Sequence, residues 1–374
     1  MLETQNRKSV IVLGGGVIGV STAVHLLRSG ADVTLITEGE LASGASGRSL
    51  SWLNSAGARS PEYHALRMAG IDRYRTLFAQ DPSREWLQFG GGVYWDEDTD
   101  ATGQRHEYEL SHGYDSHVVG PETVADFTPG LNASALAPTS VYNPGEGWVS
   151  LPDLIDHLMA EFTRRGGVLR TNAGRARVEV DDAGRASAVV TPAFGSSAAD
   201  AVVVACGAHT PDVVAPLGVR IGNGSPVSML VVTEPLEHGV KAVLNTPRAA
   251  IRPNPGRTIA IDHDWYEEHI VRDEAGMYSI PEPVVGELLT EAGRLLDGEP
   301  ELKAASWKIG LKPIPGDGEP VFGELQKVPG CFVAFTHSGA TLALIAGELL
   351  AGEVVTGRRH PMLATFRPER FEQN

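Results

Sequence analysis

The feature that most constrains the fold is a run of glycines that directly follows a short apolar segment near the N-terminus. Ser9-Val-Ile-Val-Leu13 has the uninterrupted, β-branched composition of a buried parallel strand. Gly14-Gly-Gly-Val-Ile-Gly19 follows, and apolar residues then recur at helical spacing as far as Gly30. Asp32-Val-Thr-Leu-Ile36 supplies a second strand. A strand, a glycine turn, a helix and a strand in this order predict a dinucleotide-binding βαβ unit.

The three glycines of this turn have different predicted roles. Gly14 permits the tight turn, Gly16 lets the backbone approach a pyrophosphate, and Gly19 lets the helix pack closely on the strand. The helix N-terminus, with Val17 and Ile18, adds backbone amide donors and a partial positive charge for the phosphates. A glycine-rich turn without a ligand is the alternative, and its position between strand and helix favours the nucleotide.

The residue that binds a ribose hydroxyl is expected just after the second strand, about 20 residues beyond the glycines. Glu38 lies 19 positions after Gly19, and Thr37 directly precedes it. Both side chains carry an oxygen that can bond to a hydroxyl group, so both are candidates. A solvated strand end is the alternative for Glu38.

Two later segments have small residues where a second set of cofactor contacts is expected. Ser43-Gly-Ala-Ser-Gly-Arg-Ser49 can fold tightly, and its Arg48 can neutralise a diphosphate. A surface linker is the alternative for this loop. The predicted strand 201–205 ends in Cys206 and Gly207, again a strand that leads into a small-residue turn.

The C-terminal part of the chain repeats the pattern of a strand followed by a helix. The apolar segment 332–336 leads through His337 and Ser338 into a helix that we expect to begin near Gly339. The first amides of such a helix point at whatever lies beyond the strand, and they favour negative charge there.

In this order, the motifs resemble the family of flavin-dependent amine and D-amino-acid oxidoreductases, which includes D-amino-acid oxidase, glycine oxidase and monomeric sarcosine oxidase. The resemblance implies an α/β fold, with a Rossmann-like FAD-binding domain and an inserted, mainly antiparallel substrate-binding domain as in glycine oxidase. It also implies oxidation of a CH–NH or CH–NH2 donor to an imine, with hydride transfer to FAD. The resembling parts are 14–19, 43–49, 200–208, 310–320 and 336–342.

The resemblance carries a set of cofactor contacts over to this chain. The family usually has an acid where this chain has Thr37, so the ribose contact is assigned to Thr37 or Glu38. We expect FAD to be bound non-covalently, because Cys206 and Cys331 both lie outside 310–320, where some members attach flavin. The implied contacts are Gly14, Gly16, Val17, Ile18, Gly19, Thr37, Glu38, Ser46, Arg48, Ser49, Arg175, Cys206, Gly207, Gly310, Lys312, Gly339, Ala340, Thr341 and Leu342.

The candidates for the catalytic and substrate site are Lys312, Arg252 and His337. Family members have Gly-Leu-Arg-Pro where this chain has Gly-Leu-Lys-Pro, and the arginine grips the substrate carboxylate. Lys312 offers a point charge, whereas an arginine would bind the carboxylate with two parallel hydrogen bonds. The alternative is that Lys312 is a solvated lysine whose charge Asp317 neutralises. Arg252, predicted at the end of strand 249–252, is a second candidate clamp or an exposed strand end. His337 is a candidate pocket wall.

The pattern of helices and strands in the rest of the sequence predicts the domain boundaries. Helical spacing appears in 151–162 and again in 285–296, whereas 222–310 has short apolar stretches separated by turns, as in antiparallel sheet. We assign 1–85, 141–221 and 308–374 to the FAD-binding domain. The substrate-binding domain then comprises 86–140 and 222–307.

Composition narrows the class of protein. A net charge of -16 argues against binding to nucleic acid. Two distant cysteines predict neither a disulfide framework nor a metal site, and they suit a reducing compartment. No signal-peptide pattern and no long uncharged apolar run is present, so we expect a cytoplasmic protein with no integral membrane segment.

Several alternatives stay open at this level. A nicotinamide-dependent dehydrogenase also begins with a βαβ unit, and a flavin-binding subunit without amine oxidase activity is a second possibility. The expected partners are a small-molecule amine or amino acid and oxygen or another electron acceptor. D-amino acids, N-methyl amino acids, glycine, cyclic imino acids and opines are all compatible with the resemblance.

Overall fold

The structure, a computed structural model, describes residues 7–372 of the 374-residue chain. Contacts divide the chain into two compact units. The first comprises Met1–Gly47, Leu151–Pro226 and Leu311–Asn374, and the second comprises Arg48–Ser150 and Val227–Gly310.

The described residues contain helices that belong to both units. In chain order they are α1 Val17–Arg28, α2 Pro61–Gln80, α3 Thr99–Ser111, α4 Pro121–Phe127, α5 Leu151–Arg164, α6 Thr210–Val214, α7 Glu282–Arg294 and α8 Gly339–Thr356.

The strands are mostly short. In chain order they are β1 Ser9–Leu13, β2 Asp32–Ile36, β3 Trp52–Leu53, β4 Leu87–Gln88, β5 Gly92–Tyr94, β6 His117–Val119, β7 Ser140–Asn143, β8 Gly147–Val149, β9 Val168–Arg170, β10 Arg177–Val180, β11 Ala186–Thr191, β12 Gly195–Ala198, β13 Ala201–Val204, β14 Val227–Thr233, β15 Val243–Asn245, β16 Ala250–Asn254, β17 Thr258–Asp262, β18 Val271–Arg272, β19 Tyr278–Ser279, β20 Ala304–Leu311, β21 Val321–Glu324 and β22 Cys331–Phe335.

The first unit is built on a six-stranded sheet in the order β21-β22-β13-β1-β2-β9. All neighbours are parallel except β21, which is antiparallel to β22 at one edge. The central strands are buried along nearly their whole length, which is why they appear in the sequence as continuous apolar runs. The predicted β1–α1–β2 unit is confirmed, with both strands at the predicted bounds.

Helices cover this sheet, and α1 and α8 pack closely together. A methyl group at Gly347 of α8 would place its carbon 2.4 Å from Ser21 Oγ of α1, so only glycine allows this approach. Among the described helices, α8 alone is long and apolar enough to cross a membrane. Two thirds of it, 67%, is nevertheless buried inside the protein, as expected of a core helix.

The second unit is built on an eight-stranded sheet in the order β20-β14-β17-β16-β15-β5-β7-β6. Its pairs from β14 to β15 and from β5 to β6 are antiparallel, whereas β15 runs parallel to β5. Helix α7 buries Val285, Leu288 and Leu289 in the core of this unit. The predicted antiparallel region is therefore confirmed, as is the predicted α/β class of the whole chain.

The two units differ from the predicted domains in two short boundary segments, 222–226 and 308–310, and in two longer segments. Residues 48–85 and 141–150, which the sequence pattern assigns to the FAD-binding domain, lie in the second unit. The reason is a small antiparallel sheet in which β8 pairs with both β3 and β4. Because β3 and β4 have two residues each, no alternation in the sequence reveals this sheet.

A buried ion pair fixes the C-terminal segment of the first unit. Arg367 donates to both carboxylate oxygens of Glu353 in α8 at 2.7 Å, and the two side chains are 9% and 4% exposed. Glu353 also accepts from the backbone N–H of His360 at 2.6 Å. The carboxylate thus has three donors, and its removal leaves a buried guanidinium without its counter-charge.

We expect Glu353→Ala to lower the free energy of unfolding by about 3–5 kcal/mol, because one partner of a buried pair stays behind uncompensated. Arg359→Ala is the control, since Arg359 is 54% exposed in its pair with Glu369 and should contribute less than about 1 kcal/mol. Denaturant unfolding followed by fluorescence measures both. Equal losses in the two variants would contradict the expectation.

Candidate cofactor and substrate site

The glycine turn after β1 has the close contacts that its predicted role requires. Gly14 has φ +115°, and a methyl carbon there would lie 2.2 Å from the carbonyl oxygen of Ala205. At Gly19 the corresponding carbon would lie 2.0 Å from the carbonyl oxygen of Gly14. Since no side chain fits at either position, α1 begins directly against the ends of β1 and β13.

The N-terminus of α1 offers backbone amides to an anion. Its N-cap is Gly16, whose residue type provides no capping side chain, and the first turn contains no acidic residue. The Val17 N–H donates to Ser46 Oγ at 3.0 Å, which places this serine of the 43–49 loop beside the turn. Partial positive charge and amide donors at a helix start fit the pyrophosphate of a dinucleotide.

The strands of the parallel sheet end at one edge, and the predicted cofactor residues of the first unit follow those ends. In register, Leu13 pairs with Ile36 and with Val204, so β1, β2 and β13 finish side by side. The glycine turn, Thr37 and Cys206 come next along the chain from these three ends. Ligands of open parallel sheets bind beyond this carboxyl edge.

Thr37 and Glu38, the two ribose candidates, lie in different surroundings. Thr37 is buried, and its Oγ1 would lie 2.8 Å from a methyl carbon at Gly15, so it borders the glycine turn. The Glu38 carboxylate is exposed and lies 3.5 Å from Nε of Arg175, which is exposed too. This geometry leaves both residues as candidates for the ribose contact.

The turn after β13 contains a thiol that does not ionise readily. Cys206 Sγ donates to the carbonyl oxygen of Leu13 at 3.6 Å. Desolvation of the sulfur, with a smaller contribution from Glu38, raises the pKa of Cys206 to about 12. Gly207 follows with φ +57° and opens a single 3-10 turn. The thiol is therefore neutral at physiological pH.

The start of α8 resembles the start of α1 in its electrostatics. Ser338 is the N-cap but makes no side-chain cap, and the first turn has no acidic residue. The amides of Gly339, Ala340 and Thr341 lie in this first turn, at the carboxyl edge that follows β22. Such a helix start stabilises negative charge. His337 is exposed, so its predicted role as a pocket wall stays a prediction.

The segment around Lys312 is half-buried in the first unit. The Lys312 N–H donates to the carbonyl oxygen of Pro226 at 2.8 Å, which anchors the backbone of the loop. Asp317, proposed as a neutralising partner for Lys312, instead accepts from Arg370 Nε at 2.6 Å and Nη2 at 3.0 Å. The Asp317 carboxylate is thus held by an arginine, and the role of Lys312 stays a prediction.

Arg48 and Gly310 both belong to the second unit and lie against each other. A methyl carbon at Gly310 would lie 2.5 Å from Cζ of Arg48, so the strand β20 passes the guanidinium without room for a side chain. Burial lowers the pKa of Arg48 from its usual value. The predicted contact residue Ser49 follows, and its Oγ accepts from the Ser51 N–H at 3.1 Å.

Arg252 is neither exposed nor at a strand end. It lies in the middle of β16 and is 2% exposed, which corrects the expected strand 249–252 and excludes the exposed alternative. Its Nε donates to the carbonyl oxygen of Leu50, and Nη1 donates to Pro253 O at 2.7 Å and Asn254 Oδ1 at 2.8 Å. The guanidinium carbon lies 5.0 Å from the ring of Trp148.

A buried carboxyl in the second unit, Glu146, gave no signal in the sequence. It is 0% exposed, and its oxygens accept from Trp52 Nε1 at 2.6 Å and from the Tyr114 hydroxyl at 2.5 Å. Desolvation raises the pKa of Glu146 to about 8, against the two hydrogen bonds and the Arg105 charge, which lower it. The only hint, visible in hindsight, is an acid between two glycines in a turn.

The glycine turn, the two uncapped helix starts and the carboxyl edge they share define a dinucleotide-binding oxidoreductase of the Rossmann-like class, and these residues fit FAD. The model of the family described as FAD dependent oxidoreductase matches residues 9–353. The chain belongs to this family, and its cofactor is FAD rather than a nicotinamide.

Full-length relatives and solved structures agree with the family. Glycine oxidase of Pseudomonas aeruginosa is 27% identical, over 93% of this chain and 95% of the relative. An opine oxidase subunit of Rhizobium meliloti is 21% identical, over 96% and 97%. The structure of glycine oxidase from Geobacillus kaustophilus has a TM-score of 0.80 at 22% identity, over 97% of this chain and 99% of that one. These structures confirm the glycine oxidase-like fold.

We expect Gly19→Ala to destabilise the protein by about 1–3 kcal/mol, because the added carbon meets a backbone oxygen that cannot move aside. The same variant should bind FAD at least tenfold more weakly than the wild type in a titration of the FAD-free protein. Gly352→Ala is the control, since nothing lies within 4 Å of the added carbon and alanine favours the helix. Unchanged FAD affinity in Gly19→Ala would contradict the role of the turn.

Glu146→Gln should remove a pH dependence of stability. The folded state keeps the Glu146 proton up to a pKa of about 8, whereas the unfolded carboxyl loses it near 4.5. The contribution of Glu146 to wild-type stability therefore falls as pH rises between these values, by on the order of 3 kcal/mol between pH 5 and 8. Unfolding free energies at pH 5, 6, 7 and 8 measure the slope.

The matched control for this pH series is Glu161→Gln. The side-chain bond to Arg28 lowers the pKa of Glu161 to about 2, so its titration contributes no slope above pH 5. The control should keep the wild-type slope. A Glu146→Gln variant with the same slope as the wild type would show that this carboxyl is ionised in the folded protein.

Proposed function

We propose that the chain oxidises an amine or amino acid at a carbon next to nitrogen, by hydride transfer to non-covalent FAD. The imine formed in this step is then hydrolysed. The observation that carries the proposal is the pair of uncapped helix starts, α1 and α8, at the carboxyl edge of one parallel sheet. The match to the family over 9–353 supports it.

Both cysteines support non-covalent binding. The Cys206 thiol donates a hydrogen bond to the carbonyl oxygen of Leu13, and Cys331 is 0% exposed within β22. Desolvation raises the pKa of each thiol to about 12, so neither provides a thiolate for attachment. Neither lies in the segment 310–320, where some family members attach flavin.

FAD, when bound, accepts the hydride, and the protein orients the reactants and supplies charge around the ring. On this proposal the glycine turn and Val17 hold the diphosphate, with Arg48 as counter-charge. The amides that open α8, from Gly339 to Leu342, would stabilise negative charge on the bound cofactor. A neutral amine donor needs little further acid–base chemistry from side chains.

Lys312 is proposed to bind an anionic group of the substrate. Its backbone is anchored at Pro226, and the nearby acid Asp317 is held by Arg370. A lysine provides charge without the two parallel hydrogen bonds of an arginine, so binding should be weaker and less directional. An amino acid, with its carboxylate beside the amine, is the substrate class that suits this arrangement.

Relatives of this chain carry both oxidase and dehydrogenase names, including a D-amino acid dehydrogenase of Cereibacter sphaeroides, 32% identical over 54% of this chain and 45% of the relative. Oxygen or another acceptor is therefore proposed as the oxidant. The FAD-binding domain stays proposed as 1–85, 141–221 and 308–374, of which 48–85, 141–150 and 308–310 lie in the second compact unit. A cytoplasmic location stays a prediction.

A flavin-binding subunit of a larger oxidase is the second candidate. Two relatives, from Rhizobium meliloti and Agrobacterium tumefaciens, are each named as one subunit of an opine oxidase, and they align with 96% of this chain. On this alternative the chain binds FAD but needs a partner chain to oxidise its substrate.

Anaerobic flavin reduction against a library of amines and amino acids tests the proposal. We expect at least one amino acid to bleach the flavin, and Lys312→Met to raise its apparent dissociation constant about tenfold or more with a smaller effect on the limiting rate. Lys308→Met, which alters an exposed lysine of β20, should leave both unchanged. Bound flavin that no compound reduces would favour the alternative of a larger oxidase. An unchanged apparent dissociation constant for the substrate in Lys312→Met would exclude Lys312 from the substrate site.

A further inference from the structure

We propose that Arg252 is a positioning residue, which holds the backbone of segment 48–50 in place for contact with the flavin. It is therefore not the clamp of a substrate carboxylate. This inference deepens the proposed function and rests on it, because Arg48 and Ser49 are proposed FAD contacts. It concerns residues of the second unit alone.

The N–H donors of Arg252 bond to acceptors of the protein, so they are not arranged to bind a substrate carboxylate. A guanidinium grips a carboxylate with two parallel N–H groups, which means Nη2 together with either Nε or Nη1. Nε donates to Leu50 O, and Nη1 donates to Pro253 O and Asn254 Oδ1. Each of the two possible forks thus has one arm committed to an acceptor of the protein.

Burial and stacking fix the guanidinium in this position. Arg252 is 2% exposed, and its Cζ lies 5.0 Å from the ring of Trp148, which is 3% exposed. Its strand is paired along its length with β17, where Arg252 lies opposite Ala260. A cation stacked on a buried ring has little freedom to turn towards a ligand.

The backbone that Arg252 holds is in a strained conformation. Ser51, next to Leu50, has φ +56° although it is not a glycine, and it is 4% exposed. Such conformations persist only where the surroundings impose them. Here the Ser51 N–H donates to Ser49 Oγ at 3.1 Å, and Ser51 O accepts from the Val149 N–H at 3.2 Å. The Arg252 bond to Leu50 O adds a further restraint.

The far end of the same stretch is anchored separately. Trp52 Nε1 donates to Glu146 at 2.6 Å, and β3 pairs with β8 so that Trp52 lies opposite Trp148. Arg67 donates to the carbonyl oxygen and to Oδ1 of Asn54, both at 2.8 Å. Of these bonds from residues distant in the chain, the one from Arg252 lies nearest to Arg48 and Ser49, where the proposed cofactor contacts lie.

Hydrogen exchange and FAD titration test this role without any substrate. In FAD-free protein, we expect Arg252→Lys to raise amide exchange in a peptide that covers 48–54 at least tenfold. A lysine donates from a single nitrogen and cannot reproduce the separate bonds that Nε and Nη1 make to Leu50 and Asn254. The same variant should bind FAD at least tenfold more weakly and shift the absorbance of bound flavin. At saturating FAD, its KM for a reducing amino acid should stay within about threefold of wild type.

Arg248→Lys is the matched control. Arg248 also stacks on a tryptophan, with Cζ 4.3 Å from the ring of Trp265, and it pairs with Glu287. It should leave exchange in 48–54 and FAD affinity unchanged. Arg252→Met is a second variant, which removes every donor of the side chain. If Arg252→Met does not fold, Arg252→Lys alone tests the positioning role.

The outcomes separate the two proposals. Wild-type exchange and FAD affinity in Arg252→Lys, with KM raised tenfold or more, would overturn the positioning role and restore the clamp. Wild-type values for all three measurements would also overturn it. Altered exchange and FAD affinity support the positioning role even if no amine reduces the flavin, in which case the proposed oxidation alone fails.

Discussion

The arrangement of the first unit depends on the exclusion of side chains from two positions in one turn. Gly14 and Gly19 lie so close to backbone oxygens that even a methyl carbon would come within about 2 Å of them. This contact lets α1 begin at the end of β1 with its first amides at the carboxyl edge of the sheet. The phosphate end of the proposed site is therefore a product of backbone packing, since glycine alone permits that approach.

Local patterns in both units were predictable where each is complete within a short stretch of sequence. The strand β1, the turn and α1 are adjacent, and α5 and α7 show clear apolar periodicity. The long helix α2 was missed because its apolar residues are not confined to one face and its buried face includes Arg67 and Gly70, although Ser60 and Pro61 form a recognisable start signal. The small sheet around β8 was missed because strands of two or three residues show no periodicity.

For the candidate site too, features formed by neighbouring residues were predicted from the sequence, whereas contacts between distant residues were not. Glycines and helix starts were found from sequence because their chemistry is in the backbone. The environment of Arg252 was not, because its acceptor Leu50 is 202 residues away in the chain. Glu146 and Trp52 are likewise 94 residues apart. No periodicity or motif records such pairs, and for both the three-dimensional structure decides what the side chain does.

The two cations that the sequence offered as carboxylate clamps, Arg252 and Lys312, differ in side-chain chemistry. The arginine that the sequence offered as a carboxylate clamp is tied to Leu50, Pro253 and Asn254, which suits a rigid planar group with five donors. The position that matches the family's clamp holds Lys312, whose ammonium attracts an anion without fixing its orientation. On the proposed function, charge alone then selects for a carboxylate. Discrimination among amino acids must come from contacts with the rest of the substrate, since a point charge treats similar carboxylates alike.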